Sequence, residues 1–232
     1  MSMKIRLRRA LSAGLVLLAV GILFESAQFA AAQQEKLVSC KPVSERTGPE
    51  GCWIIASQPL GMLVGSATWT LDVFPTKAVA ENAKNGQGTV VEALGKVWLL
   101  TISIGGPVKL NPQGTRMAEI GPLPITTLGG PEYTAQYMEA ILQPGTVSKT
   151  HTHSGPEAFY TESGESCLET PAAVQVGRKG QGVVVPAGVP MELVATGTET
   201  RRGIVLVLHD SSKPPTTVVS DWKLKGLCKS RN

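Results

Sequence analysis

Between Tyr133 and His209 the chain is a succession of short apolar or alternating runs, and this texture is what most limits its fold. The runs are YTAQYMEAIL, an HTH stretch, AFYTES, CLET, AVQVG, GVVVP, MELVAT and GIVLVLH. Gly, Pro and Ser separate them at a spacing of roughly 8–12 residues. Strands of this length bury their apolar faces by closing into an antiparallel sandwich or barrel. No Gly-rich phosphate loop leads into a helix, and no GxSxG sequence occurs, so a serine-hydrolase elbow has no support.

Inside this half, residues 145–164 read GTVSKTHTHSGPEAFYTESG. The chain has three histidines, and two of them stand here two residues apart. Residues i and i+2 of a strand share a face, so His151 and His153 project side by side. Ser154-Gly155-Pro156 is a turn that lets the chain re-enter the sheet at Glu157. If that shared face is the interior, two imidazoles and a carboxylate converge in an apolar pocket. That donor set suits a divalent transition metal such as Fe, Mn, Ni, Cu or Zn. A metal is also one way to compensate a buried Glu, which is costly to leave unpaired. The bland alternative is a group of surface turn residues.

The spacing shifts that weighing. Gly145, five residues, His151-x-His153, three residues, Glu157, six residues and Gly164 together resemble the first motif of the cupins, small β-barrels of the double-stranded helix type. Gly180, five residues, then Pro186-x-Gly188 resembles the second motif. The resemblance covers roughly residues 133–207. It implies a cupin double-stranded β-helix (jelly-roll-like) barrel in the C-terminal half; with the small α+β segment that the residues before it suggest, the expected fold class is mainly β. It also implies metal ligation by His151, His153 and Glu157. The second motif of the family continues with a histidine three residues after Gly188, where this chain has Met191. Three readings stay open: a three-ligand site, a thioether ligand from Met191, or a metal-free pocket that Met191 helps to fill. His209 is the remaining histidine and a candidate replacement ligand, if the face it shares with Val205 and Val207 is the interior. Glu139, Tyr137 and Thr161 are conceivable further pocket residues, although no general base can be named.

The chain begins like an exported protein. Lys4, Arg6, Arg8 and Arg9 precede an uncharged apolar run, Ala10 to Phe24, and Ala30-x-Ala32 offers a cleavage site before Gln33. Residues 1–32 are therefore expected to be a signal peptide and the mature protein to be secreted or periplasmic. The apolar run is shorter than the ~20 residues of a spanning helix. Removing four basic residues and Glu25 from totals of 22 and 18 leaves 18 and 17, a net charge of +1. The basic balance thus belongs to the export segment and gives no support for a nucleic-acid partner. In an oxidising compartment the four cysteines are expected as disulfides; three pairings are open, of which Cys40 with Cys52 and Cys167 with Cys228 is the favoured one.

Residues 33–50 read as an irregular arm. From Trp53 the texture is α+β: strands CWIIA and ATWTLDVF, a helix KAVAENAK capped by Thr76, then strands GTVVEAL and KVWLLTISI turning at Leu94-Gly95. GGPVKLNPQG is turn-rich, and GPLPITTLGGP at 121–131 suggests a boundary. The expected division is thus residues 33–130, of unknown role, and residues 131–232, the cupin. Expected partners are a small-molecule ligand or substrate, no nucleic acid and no membrane after signal cleavage; a homodimer stays open. Three functions compete: a metal-dependent enzyme of dioxygenase, decarboxylase or isomerase type, a non-catalytic binding cupin, and a cell-envelope interaction protein.

Overall fold

The structure is a computed structural model that describes residues 36–86, 88–125 and 130–229. The expected signal peptide lies outside the described residues. The first half contains β1 (Lys36–Val38), β2 (Cys40–Pro42), β3 (Gly51–Met62), β4 (Ser66–Phe74), α1 (Lys77–Ala83), β5 (Gly88–Ala93), β6 (Lys96–Ile104) and β7 (Thr115–Pro124). The second half contains β8 (Glu132–Leu142), β9 (Thr146–Ser148), β10 (His151–Thr152), β11 (Glu157–Ser163), β12 (Glu165–Glu169), β13 (Val174–Arg178), β14 (Gly182–Val185), β15 (Glu192–Thr196), β16 (Arg201–Asp210) and β17 (Thr217–Val218).

These strands form sheets ordered β14-β11-β16-β8-β3-β2 and β1-β9-β15-β12-β13, a β10-β17 ribbon, and a four-stranded sheet β5-β6-β4-β7. The first two sheets enclose one apolar interior. Met138, Ala140 and Leu142 of β8, Phe159 of β11, Val205 and Val207 of β16, and Leu193 and Ala195 of β15 all belong to it. The period-2 pattern of β8 explains the split: Met138 and Ala140 face this barrel, while Ala135, Tyr137 and Ile141 face the other way.

The other face of the six-stranded sheet packs against the four-stranded one. Tyr137, Tyr160, Ile204 and Leu206 meet Trp69, Leu71, Trp98 and Leu100 there. Trp98 stands edge-on to Tyr160, with ring centroids 5.9 Å apart, and donates its indole N–H to the Ala93 carbonyl at 2.8 Å. The expected boundary near residue 130 is not a break in the sheet, because β3 pairs antiparallel along β8 from Gly51↔Ile141 to Met62↔Glu132.

Local signals were realised closely. Thr76 accepts a hydrogen bond from the Val79 N–H at 3.3 Å and so caps α1. Leu94 and Gly95 have φ of 54° and 76°, the left-handed pair that a two-residue hairpin turn requires. Two elements depart from expectation. Residues 36–42 are not irregular, since β1 pairs parallel with β9 and β2 parallel with β3. β7 is a full strand despite Pro122 and Pro124, and its edge position, paired only with β4, tolerates prolines that lack an N–H. The expected cysteine pairs are both at disulfide distance: Cys40 with Cys52, and Cys167 with Cys228, which closes 61 residues.

Candidate metal centre

His151 lies in β10, His153 just beyond it and Glu157 at the start of β11. Glu157 is held on both sides, opposite Val185 of β14 and Val207 of β16. The carbonyl of His153 accepts from the Gly188 N–H at 2.8 Å, so the second motif fixes the strand of the first. One ligand-capable atom from each of His151, His153 and Glu157 falls within 4.8 Å of the others. His153 and Glu157 are buried, and His151 is half-buried.

The hydrogen bonds set the imidazole tautomers. His151 Nδ1 is 2.6 Å from the Lys149 carbonyl, and His153 Nδ1 is 2.6 Å from the Pro215 carbonyl. A carbonyl only accepts, so each Nδ1 carries a proton, and in the neutral ring each Nε2 is the lone-pair atom. His153 Nε2 stands 3.2 Å from Glu157 Oε2, yet neither atom has a hydrogen-bond partner of acceptable geometry. Two buried lone-pair atoms facing each other repel unless a cation or a proton lies between them. Imidazoles oriented by backbone carbonyls through the other ring nitrogen are the usual support of metal-ligating histidines. The residues present therefore fit a divalent metal.

Residues 138–207 match the family model described as a cupin domain. The protein carries a cupin domain. Among solved structures, a cupin-like protein from Thermotoga maritima is similar at 16% identity and a TM-score of 0.37, over 42% of this chain and 72% of that one. The DMSP lyase DddQ from Ruegeria pomeroyi is similar at 16% identity and TM-score 0.33, over 37% and 43% of the two chains. An oxalate decarboxylase from Bacillus subtilis is similar at 20% identity and TM-score 0.33, over 40% and 26%. No curated protein compared matches the chain. Likenesses this distant carry no argument about chemistry.

Electrostatics separate the two cupin histidines. Burial disfavours a charged ring at His151 and outweighs the attraction of Glu157, so its pKa falls below the usual value. Burial acts the same way on His153, but the charge and contact of Glu157 and the Pro215 carbonyl outweigh it and raise the pKa. His151 is thus neutral at neutral pH and free to ligate.

Met191 is directly across from His151. The two residues exchange backbone hydrogen bonds of 3.1 and 2.9 Å, and Met191 is buried in the cavity wall. His209 is not in the ligand group. It shares the face of Val205 and Val207, but it lies beyond the cavity, and its Nδ1 is 3.0 Å from the Asp210 carbonyl. Nor is it a solvent-facing strand end, because it is buried. Glu139 and Tyr137 are also excluded from the pocket, since their strand parity turns them outward. Glu139 accepts from Arg46 Nη1 at 2.5 Å and from the Leu94 N–H at 2.7 Å. Thr161 is buried at the barrel interior without lining the cavity.

The centre lies in the wall of a cavity of about 320 Å³ lined mainly by apolar residues, among them Met138, Leu142, Phe159 and Val205. Three contributors had no sequence signal. Val38, Ser39 and the Cys40–Cys52 pair close one side, and Pro215, Thr216 and Val218 close another. The third is Arg201, fully buried in the cavity wall with Nε, Nη1 and Nη2 lacking partners among the described residues. Only its position on the inward side of β16, two before Gly203, hints at it.

Proposed function

We propose that this is an exported cupin that binds a divalent transition metal through His151, His153 and Glu157 and acts on a small oxygenated organic molecule. The observation that carries the reading is the group of His151, His153 and Glu157, in which His153 Nε2 and Glu157 Oε2 face each other, buried and without a hydrogen-bond partner among the described residues. When bound, the metal would supply Lewis-acid polarisation of a substrate oxygen at positions that three protein ligands leave open.

The chain's own residues do the rest. Lys149 and Pro215 carbonyls hold the two rings in their ligating orientation. Phe159, Met138 and Val205 exclude water and shape the apolar pocket. Asp210 accepts from the Ser212 N–H at 2.9 Å and pairs with Lys213 at 3.0 Å, which folds the turn leading into Pro215. In this reading residues 36–125 brace the barrel, because their four-stranded sheet covers its outer face. Two cysteine pairs are compatible with an oxidising compartment, and among the described residues no helix is long and apolar enough to cross a membrane.

A second reading, a metal-free binding cupin, draws on Met191, whose buried thioether takes the fourth family position. Metal analysis of the purified, supplemented protein distinguishes the two. About one equivalent of Fe, Mn, Ni, Cu or Zn per chain is expected. No metal after supplementation, with a proton shared by His153 and Glu157 instead, would establish the binder.

A further inference from the structure

The least expected group in the barrel is Arg201. A guanidinium carries five N–H donors and no acceptor, and it stays charged in almost any setting. Arg201 is 0% exposed, and none of its three nitrogens has a hydrogen-bond partner among the described residues. Burial lowers its pKa to about 10 against the pull of Glu157, so it is still a cation at neutral pH. The other arginines with inward roles are paired: Arg46 with Glu139, and Arg116 with Asp72 and Glu119. An unpaired buried cation is costly unless a ligand completes it.

Its geometry points into the cavity. On β16, Arg201, Gly203, Val205 and Val207 share the inward parity, and Arg201, Val205 and Val207 line the cavity. A Cβ at Gly203 would stand 2.9 Å from Arg201 Nη2 and 3.1 Å from Cζ, so the guanidinium lies against the bare backbone there. In register, Val207 faces Glu157 and Gly203 faces Thr161, which sets Arg201 toward the opposite end of the barrel from the histidines. Met138, Phe159, Leu193 and Val205 supply apolar wall.

Charge narrows the occupant. Glu157 and Arg201 cancel, so Lys149 leaves the metal-free cavity lining at +1, and a divalent cation at the centre would raise it to +3. Such a cavity selects anions, and a planar fork of donors matches a carboxylate with two parallel hydrogen bonds. We infer that Arg201 anchors the carboxylate of a small organic acid, whose apolar body lies along Met138, Phe159 and Leu193 and whose far end reaches the His151–His153–Glu157 centre. This deepens the proposed function by naming a substrate class, and it rests on that reading only for the far end.

Calorimetric titration tests it, with hexanoate and benzoate as probes against hexanamide and benzamide. Wild type, Arg201→Met and Arg201→Lys are each titrated metal-free and zinc-loaded, with metal content measured separately. Wild type is expected to prefer acid over amide at least ~10-fold, Arg201→Met to bind both within about twofold, and Arg201→Lys to fall between, because Lys keeps the charge but not the fork. Zinc stoichiometry should be the same in all three. Metal-free Arg201→Met should melt no lower than wild type, since it deletes an unpaired buried charge; a purely structural arginine would give a large drop. The inference is overturned if neither acid binds wild type, if acid and amide bind equally, or if Arg201→Met keeps the preference. If zinc fails to bind while the Arg201-dependent preference persists, the metal reading falls and this one stands.

Discussion

The barrel cavity and the framework outside it both bury charged groups, yet the fold pairs three of those outside and leaves two of those inside incompletely partnered. Outside, Asp72 is 2% exposed and pairs with Arg116, and Glu139 is 4% exposed and takes Arg46 and a backbone N–H. Glu169 at the far edge accepts three backbone N–H groups from Lys225, Gly226 and Leu227. Inside, Glu157 is 5% exposed with one oxygen lacking a hydrogen-bond partner, and Arg201 is 0% exposed with no hydrogen-bond partner among the described residues. Burial alone therefore does not mark a site. What marks it is burial whose desolvation the fold has not compensated, which leaves the compensation to a ligand.

Two buried glutamates give the sharpest test of this contrast. Glu157→Gln should weaken metal binding by at least ~100-fold, because it removes a ligand where loss of a supporting group alone costs ~10–100-fold. Glu139→Gln should leave metal binding unchanged and lower unfolding stability by about 1–3 kcal/mol, because the half-exposed Arg46 loses its partner. Metal titration and denaturant unfolding of both variants decide it. Equal metal loss in the two would mean that pairing does not separate site from framework.

A smaller effect is expected at Met191. It lies in register with His151 as a hydrogen-bonded pair, so a new imidazole would arise beside that of His151. Met191→His should tighten zinc or nickel binding by about tenfold, since imidazole is the better donor for a borderline ion. Unchanged affinity in a correctly folded variant would show that position 191 does not reach the centre.

The smallest effect on the metal is expected from the tail. Cys228 fastens the C-terminal segment to β12, and that segment carries the Pro215 carbonyl on His153 and the Thr217–Val218 strand that pairs with β10. Cys228→Ser should lower stability by about 3–4 kcal/mol. It should also weaken metal binding several-fold through His153. Cys52→Ser, which releases a pair that contacts no ligand, should lower stability without that second effect. If both variants bind metal like wild type, the tail does not orient His153.

The grouping of His151, His153 and Glu157 was legible in the sequence because its logic is local. His151 and His153 share a face by strand alternation, Glu157 returns after one turn, and Thr76 caps α1 within its own first turn; none of this needs distant register. That the cysteines pair followed from their even count and the expectation of an oxidising compartment; which ones pair was one choice of three. The remainder was decided by tertiary structure. Whether Glu139 and His209 reached the pocket depended on which face of β8 and β16 turned inward, and where along the strand the cavity ended. Pro215 became a partner of His153 only because the tail folds back across β10. Arg201 reads in sequence as one more surface arginine in TETRRG. It is a buried, unpaired cation because β16 is sandwiched between β8 and β11, Gly203 leaves room for its guanidinium, and no strand around it offers a carboxylate in reach of a hydrogen bond. Strand parity is a property of neighbouring residues, whereas the absence of a partner is a property of the whole enclosing surface, and only the folded chain has that surface.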